Sequence, residues 1–218
     1  MHVSDAIYAR KSIRAFRPTP VSNSQLETLL TRAARAPSGG NVQPWRVYVV
    51  NGEAMATFRE QLKTRTTPEA PAYEIYPQNL TEPYRSSRFK VGEDMYHLLG
   101  IAREDRGARI RRLMENYNFF GAPAAIFCFI DRQMGPPQWS DLGMFLQSFM
   151  LLATEAGLAT CAQEAWATRA QTVSDLVGAP AEQMLFCGVA IGYADDTAAV
   201  NSLVADRAPL ADFATFVR

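Results

Sequence analysis

Residues 139–157 constrain this chain more than any other stretch. Leu142, Phe145, Leu146, Phe149, Met150, Leu152 and Ala153 cover much of the circumference of one uninterrupted helical pattern. A solvated helix shows a single apolar stripe, so a helix apolar on most sides must be central in its domain or lie at a subunit interface. Gly157 supplies its end, and Gly135-Pro136-Pro137 before it reads as a loop. Three apolar runs read as strands: residues 46–50, 124–130 and 184–192, the first expected to be buried on both faces.

Helices separate these runs. A short one covers residues 4–9. A second follows two capping-box spacings, Ser22 with Gln25 and Ser24 with Glu27. Its Leu26, Leu29, Leu30, Ala33 and Ala34 share one face, and it stops at Pro37. An Asn51-Gly52 turn leads into a helix over about 53–65. Residues 66–89, with Pro68, Pro71, Pro77 and Pro83, read as an irregular, aromatic-bearing excursion. Residues 90–118 read as helical with a break near Gly107, and a further helix spans about 169–177. No repeat, low-complexity run or linker divides the chain, which predicts one domain over 1–218.

Composition excludes several classes. Of 218 residues 48% are hydrophobic, enough to bury a core, and 22 basic residues balance 22 acidic ones. A neutral chain carries no global field for nucleic acid. Residues 85–112 are locally basic (Arg85, Arg88, Lys90, Arg103, Arg106, Arg109, Arg111 and Arg112) and read as a solvated helix face. Met1-His2-Val3-Ser4-Asp5 lacks a signal-peptide layout, and no apolar stretch reaches membrane-span length. Cys128, Cys161 and Cys187 form neither a disulfide framework nor a metal site, so a reducing, cytoplasmic setting and no metal are expected.

Two segments carry binding chemistry. In Arg10-Lys11-Ser12-Ile13-Arg14-Ala15-Phe16-Arg17, an extended backbone puts Arg10, Ser12 and Arg14 on one side, a pattern suited to phosphate as well as to a solvated basic patch. In Ala36-Pro37-Ser38-Gly39-Gly40-Asn41-Val42-Gln43-Pro44-Trp45, adjacent glycines admit a close ligand, while Asn41 and Gln43 both donate and accept. That loop also reads as a plain helix-to-strand connection. G-x-G-x-x-G, the P-loop, H-E-x-x-H, C-x-x-C and G-x-S-x-G are all missing, and His2 and His97 are the only histidines. With so little acid, base or nucleophile, an enzyme built this way relies on a bound cofactor.

Taken together, residues 10–16 and 36–45, with the helix between them, resemble the paired signatures of the FMN-dependent nitroreductase family. The resemblance continues through Phe119-Phe120-Gly121-Ala122-Pro123, the long apolar helix, Gly188-Val189-Ala190-Ile191-Gly192-Tyr193 and Arg207-Ala208-Pro209-Leu210. The run from Asn116 to Pro123 is similar to the branch holding nitrobenzoate and dinitroaromatic reductases. The resemblance implies an α+β fold, a small, mainly antiparallel sheet wrapped by helices, built as an intertwined homodimer with shared active sites.

It further implies FMN as cofactor, NAD(P)H as co-substrate and a ping-pong, two-electron reduction of a nitroaromatic or similar electron-poor substrate. Arg10, Ser12 and Arg14 are then expected at the FMN phosphate, with Lys11 nearby and Arg207 joining from the tail. Pro37, Ser38, Gly39, Gly40, Asn41 and Gln43 are expected to line the flavin from the other subunit, and backbone at Gln163 and Glu164 to face its N5 edge. Many members carry Gly after that Glu, whereas this chain has Ala165. Asn116 is the candidate for the pyrimidine edge. Residues 66–118 are expected to form the substrate channel and 193–218 to dock on the partner. Phe119, Phe120 and Trp139, with Tyr73, Tyr76 and Tyr84, are candidates to contact substrate, each with plain packing as the competing reading. Quinone, activated-alkene or haloaromatic reduction on the same fold, and a non-catalytic flavin-binding module, stay open. No nucleic-acid or membrane partner is expected.

Overall fold

A computed structural model describes residues 1–217. The centre is a four-stranded antiparallel sheet of β1 (Arg46–Asn51), β2 (Ala124–Asp131), β3 (Ala159–Gln163) and β4 (Gln183–Gly192) in the order β1-β2-β4-β3. In chain order the helices are α1 (Val3–Ala9), α2 (Asn23–Ala33), α3 (Glu53–Thr64), α4 (Tyr84–Leu98), α5 (Arg106–Met114), α6 (Pro136–Glu155), α7 (Ala170–Val177) and α8 (Leu210–Phe213).

Strand alternation divides the core into two layers. Ile126, Cys128 and Ile130 of β2 join Val189 and Ile191 of β4 on one face, covered by Leu26 and Leu29 of α2 and by Leu142, Phe145 and Phe149 of α6. Phe127 and Phe129 point the other way, into an aromatic layer with Phe58, Phe119 and Trp166. The ring centroids of Phe119 and Trp166 lie 4.8 Å apart. The β2–β4 register shifts between Cys128 and Phe129, which leaves Phe186 as an extra residue on β4. The carbonyl released there accepts the Tyr73 hydroxyl.

α6 starts at Pro136, where the sequence reading placed a loop. Prolines suit the first helical turn because its N–H groups lack intrahelical partners. The helix buries Leu142, Phe145, Leu146, Phe149 and Ala153, while Met144 on the opposite side stays exposed. Two expectations are corrected, and one strand was missed. β1 is an edge strand rather than doubly buried, and Val49 is 41% exposed. The break between α4 and α5 falls at Gly100 (φ 64°), whereas Gly107 sits in the first turn of α5, behind Asp105, whose side chain accepts from the Ala108 N–H at 2.8 Å. β3, composed of Ala, Thr, Cys, Ala and Gln, went unread because small and polar residues give no apolar run; it pairs with β4 from Ala159–Gly192 to Gln163–Gly188.

Among the described residues, no helix is long and apolar enough to cross a membrane. Gly188 packs beneath Trp166, and a Cβ there would lie 2.5 Å from the indole Cδ1. Gly188→Ala is therefore expected to lower unfolding stability by about 2 kcal/mol through overpacking. An unchanged urea midpoint would contradict this packing.

Candidate active site

The site is organised along β3. Residues 10–17 run extended past its outer edge, where Ser12 forms a parallel bridge to Thr160 and the Ile13 N–H donates to the Thr160 carbonyl at 3.0 Å. Ile13 and Phe16 turn into the core, which leaves the polar side chains of Arg10, Ser12 and Arg14 along the surface of the strand. Burial pushes the Cys161 thiol up, and Arg14, Arg112, the Ser12 hydroxyl and Arg10 oppose that shift. Ser12 and Arg14 are held beside the middle of β3 by the Thr160 contacts, and Arg112 reaches the Arg14 carbonyl.

Arg112 is a site residue that the sequence reading left in a solvated helix face. Its Nη2 donates to the Arg14 carbonyl at 3.0 Å, its ring neighbour is Phe120 at 5.1 Å, and its Nε is buried without a partner. Burial first, and then Arg14, push its pKa down. No spacing signal distinguishes it from the other arginines of residues 85–112. Asn201 was also missed. Its Oδ1 accepts from the Arg14 N–H at 2.8 Å and its Nδ2 donates to the Ala15 carbonyl, which fixes the extended segment from the far end of the chain. Lys11 lies with Arg10 along a shallow depression walled by Gly157 and Ala159. Arg207 is exposed and donates to the carbonyls of Ala205 and Asp206.

The second component is the loop of residues 37–45. In and after its turn Gly39–Asn41, three residues are left-handed, Gly40 (φ 56°), Asn41 (φ 59°) and Gln43 (φ 50°), with right-handed Val42 between the last two. Glutamine at positive φ is held against its own preference. The restraints are visible. The Gln43 N–H donates to Ser38 Oγ at 3.0 Å, and the Gly39 N–H donates to both carboxylate oxygens of Asp141 at 3.3 Å. Trp45 stacks on Phe145 at 5.0 Å with 13° between the planes. The loop is therefore anchored on α6, and Gly39, Gly40, Asn41 and Gln43 are left open to solvent. Asp141, a single carboxylate within an apolar helical face, was the signal for this anchor.

At the end of β3 the Gln163 side chain is buried. Its Nε2 donates to the Asn116 carbonyl at 2.7 Å and to Asn116 Oδ1 at 3.3 Å, and its Oε1 accepts from Trp166 Nε1. The Gln163 side chain is thus fully engaged, which leaves backbone and the exposed Glu164 side chain at this corner. Asn116 spends its own Nδ2 on the Leu113 carbonyl. Glu164 stays solvent-accessible in crowded surroundings, and desolvation pushes its carboxyl up. Beside it, Tyr73 forms an aromatic corner with Trp139 at 5.7 Å and Phe186 at 6.2 Å. Burial raises the Tyr73 pKa, and Cys187 and Glu164 add to the shift. Trp139 is half-buried, with its indole N–H unpartnered.

Phe119 and Phe120 are corrected. Both are buried in the aromatic layer within one chain, at φ 52° and 54°, and pack against the sheet. Tyr76 is occupied by Arg88, whose guanidinium lies 3.9 Å from the ring centroid.

The family model described as Nitroreductase family matches residues 7–193. A 4-nitrobenzoate reductase from Pseudomonas putida is 36% identical over 215 residues, covering 98% of this chain and 95% of that protein. The crystal structure of an FMN and NADPH-dependent nitroreductase, NfnB from sphigopyxis sp. strain HMH, is 44% identical and covers both chains fully at a TM-score of 0.96. The FMN-dependent nitroreductase NfnB from Mycobacterium smegmatis, solved in complex with NADPH, superposes at a TM-score of 0.92 with 31% identity, covering 99% of this chain and 98% of that one. This chain belongs to the nitroreductase family.

Proposed function

We propose that this protein is an FMN-dependent NAD(P)H oxidoreductase that reduces nitroaromatic or similarly electron-poor compounds. The observation that carries the reading is the seating of residues 10–14 along β3 by the Ser12–Thr160 bridge, with Arg112 donating to the Arg14 carbonyl, on the strand that runs to Gln163 and Glu164. Phosphate suits such a cluster, because guanidinium forks bind it bidentately. The Arg112 Nε is buried without a partner beside the Arg14 carbonyl that its Nη2 reaches.

When bound, the flavin supplies hydride chemistry in alternating half-reactions with NAD(P)H and the nitro compound. The chain's own residues do the rest. Arg10, Ser12 and Arg14 hold the phosphate, with Lys11 and Arg207 as further cations, and Arg112 fixes Arg14 through its carbonyl. Backbone at Gln163 and Glu164 meets the redox edge, and Asn116 sets that corner by gripping Gln163. The 37–43 loop (Pro37, Ser38, Gly39, Gly40, Asn41 and Gln43) of a second copy covers the ring. Trp139, with Tyr73, walls the substrate side, and residues 66–118 border the channel. A side chain acting as acid or base is not required.

Exposed apolar groups support the homodimer. Tyr8 is 90% exposed, Phe213 69% and Phe216 73%, and Met144 opens from α6. Burying such groups against a second copy drives association. The tail of residues 193–218 docks on the partner in this reading; Arg218 lies outside the described residues. The buried free thiols Cys128, Cys161 and Cys187 support a reducing, cytoplasmic setting; burial pushes Cys187 up to about 12.

Purified protein should be yellow or take up added FMN, and NAD(P)H should drive reduction of a nitroarene. Colourless protein that ignores FMN would refute the reading. Arg14→Ala should weaken FMN binding about thirtyfold, corresponding to about 2 kcal/mol for a charged hydrogen-bonded contact. Asp141→Ala, which frees the loop without touching the phosphate segment, should raise the FMN Kd about tenfold. Equal FMN affinity in wild type and Asp141→Ala would show that the anchor is irrelevant.

A further inference from the structure

A cavity of about 700 Å³ opens between α3, the turn at residues 114–118 and the start of α7, apart from the cluster on β3. That volume suits a one- or two-ring ligand. Its walls combine Leu62, Met114 and the ring of Tyr117 with four cations, Arg59, Lys63, Arg65 and Arg169, and no carboxylate lines it among the described residues.

The cations are not equivalent. Lys63 pairs with Glu60 at 2.6 Å, Arg65 with Asp175 at 3.3 Å and Arg169 with Glu69 at 3.8 Å. Arg59 has no acidic partner among the described residues. Its Nη2 donates to the carbonyls of Asn118 at 3.1 Å and Ala122 at 2.7 Å, which fixes the guanidinium in place, while Nη1 makes no hydrogen bond and Nε is buried without one. Burial pushes its pKa down, and no anion opposes the shift. A half-buried guanidinium held by two carbonyls carries an unbalanced charge, and an anionic ligand would offset it.

The Tyr117 hydroxyl bonds Thr168 Oγ1 at 2.7 Å, so the cavity is left with its ring as an apolar wall. One uncompensated cation beside an apolar wall fits a monoanion with an aromatic body, not a polyphosphate.

We propose that this cavity is a second ligand site, distinct from the flavin site, that binds aromatic monocarboxylates through Arg59, Leu62, Met114 and Tyr117. Met114 and Tyr117 fall within residues 66–118, the segment assigned to the channel, but none of the four residues belongs to the cluster on β3, so the proposal stands without the phosphate assignment.

The test titrates 2-naphthoate and neutral 2-naphthylmethanol into the full-length, FMN-loaded protein by calorimetry, with the visible flavin spectrum recorded in parallel. The expected result is saturable binding of naphthoate at one site per chain, at least about tenfold tighter than the alcohol. The flavin band should not shift. Arg59→Gln should weaken naphthoate binding about tenfold or more, and Met114→Trp, which fills the cavity from an exposed position, should do the same with FMN content unchanged. If Arg59→Gln fails to fold, Met114→Trp decides. No measurable binding, equal affinity for acid and alcohol, equal affinity in wild type and Met114→Trp, or binding that shifts the flavin band would each overturn the proposal.

Discussion

The hydrogen bond from the Ile13 N–H to the Thr160 carbonyl, with the Ser12–Thr160 bridge beside it, is the contact on which the site depends. β3 is short and would otherwise present a bare edge. Covering that edge with residues 12–13 places the arginines of the N-terminal segment on the same strand that ends at Gln163 and Glu164. The phosphate-suited segment and the backbone at Gln163 thereby share one strand, at a separation set by strand geometry. Ile13 and Phe16, both buried, keep the segment from sliding, because a one-residue slip would expose them and bury arginines instead.

The second half of the site depends on α6. This helix uses one face for the core and, through Asp141 and Phe145, holds the strained loop of residues 37–45. The positive φ values of Asn41 and Gln43 are affordable because both ends of the loop are fixed. The loop's bonding and stacking go to α6, while residues 10–14 bond to β3 and Asn201. Within one chain the two binding segments serve different neighbourhoods. That separation is the physical argument for a site completed by a second copy.

Much of this was legible in the sequence, for identifiable reasons. α2 was legible from Ser22 and Gln25, whose reciprocal capping bonds are present. β2 and β4 were legible because a central strand must be apolar on both faces. β3 was not, since its small residues derive their strand state from pairing with β4 rather than from propensity. Arg10, Ser12 and Arg14 were readable by parity, but Arg112 was not, because its role follows from a tertiary approach to the Arg14 carbonyl across 98 positions. Phe119 and Phe120 misled for the opposite reason: an aromatic pair beside a motif looks like a pocket roof, while the two left-handed residues turn both rings into the core.

Subunit complementation tests the shared site most directly. Arg14→Ala damages the phosphate segment, and Gly40→Val damages the loop by putting a β-branched residue at φ 56°. Each variant alone should lose FMN. In a mixed dimer of the two, one site carries both defects and the other carries neither, so co-expressed and co-purified heterodimers should regain one FMN and half of the wild-type reductase activity. Heterodimers as empty as the two parents would show that segment and loop act within a single chain, and would contradict the account.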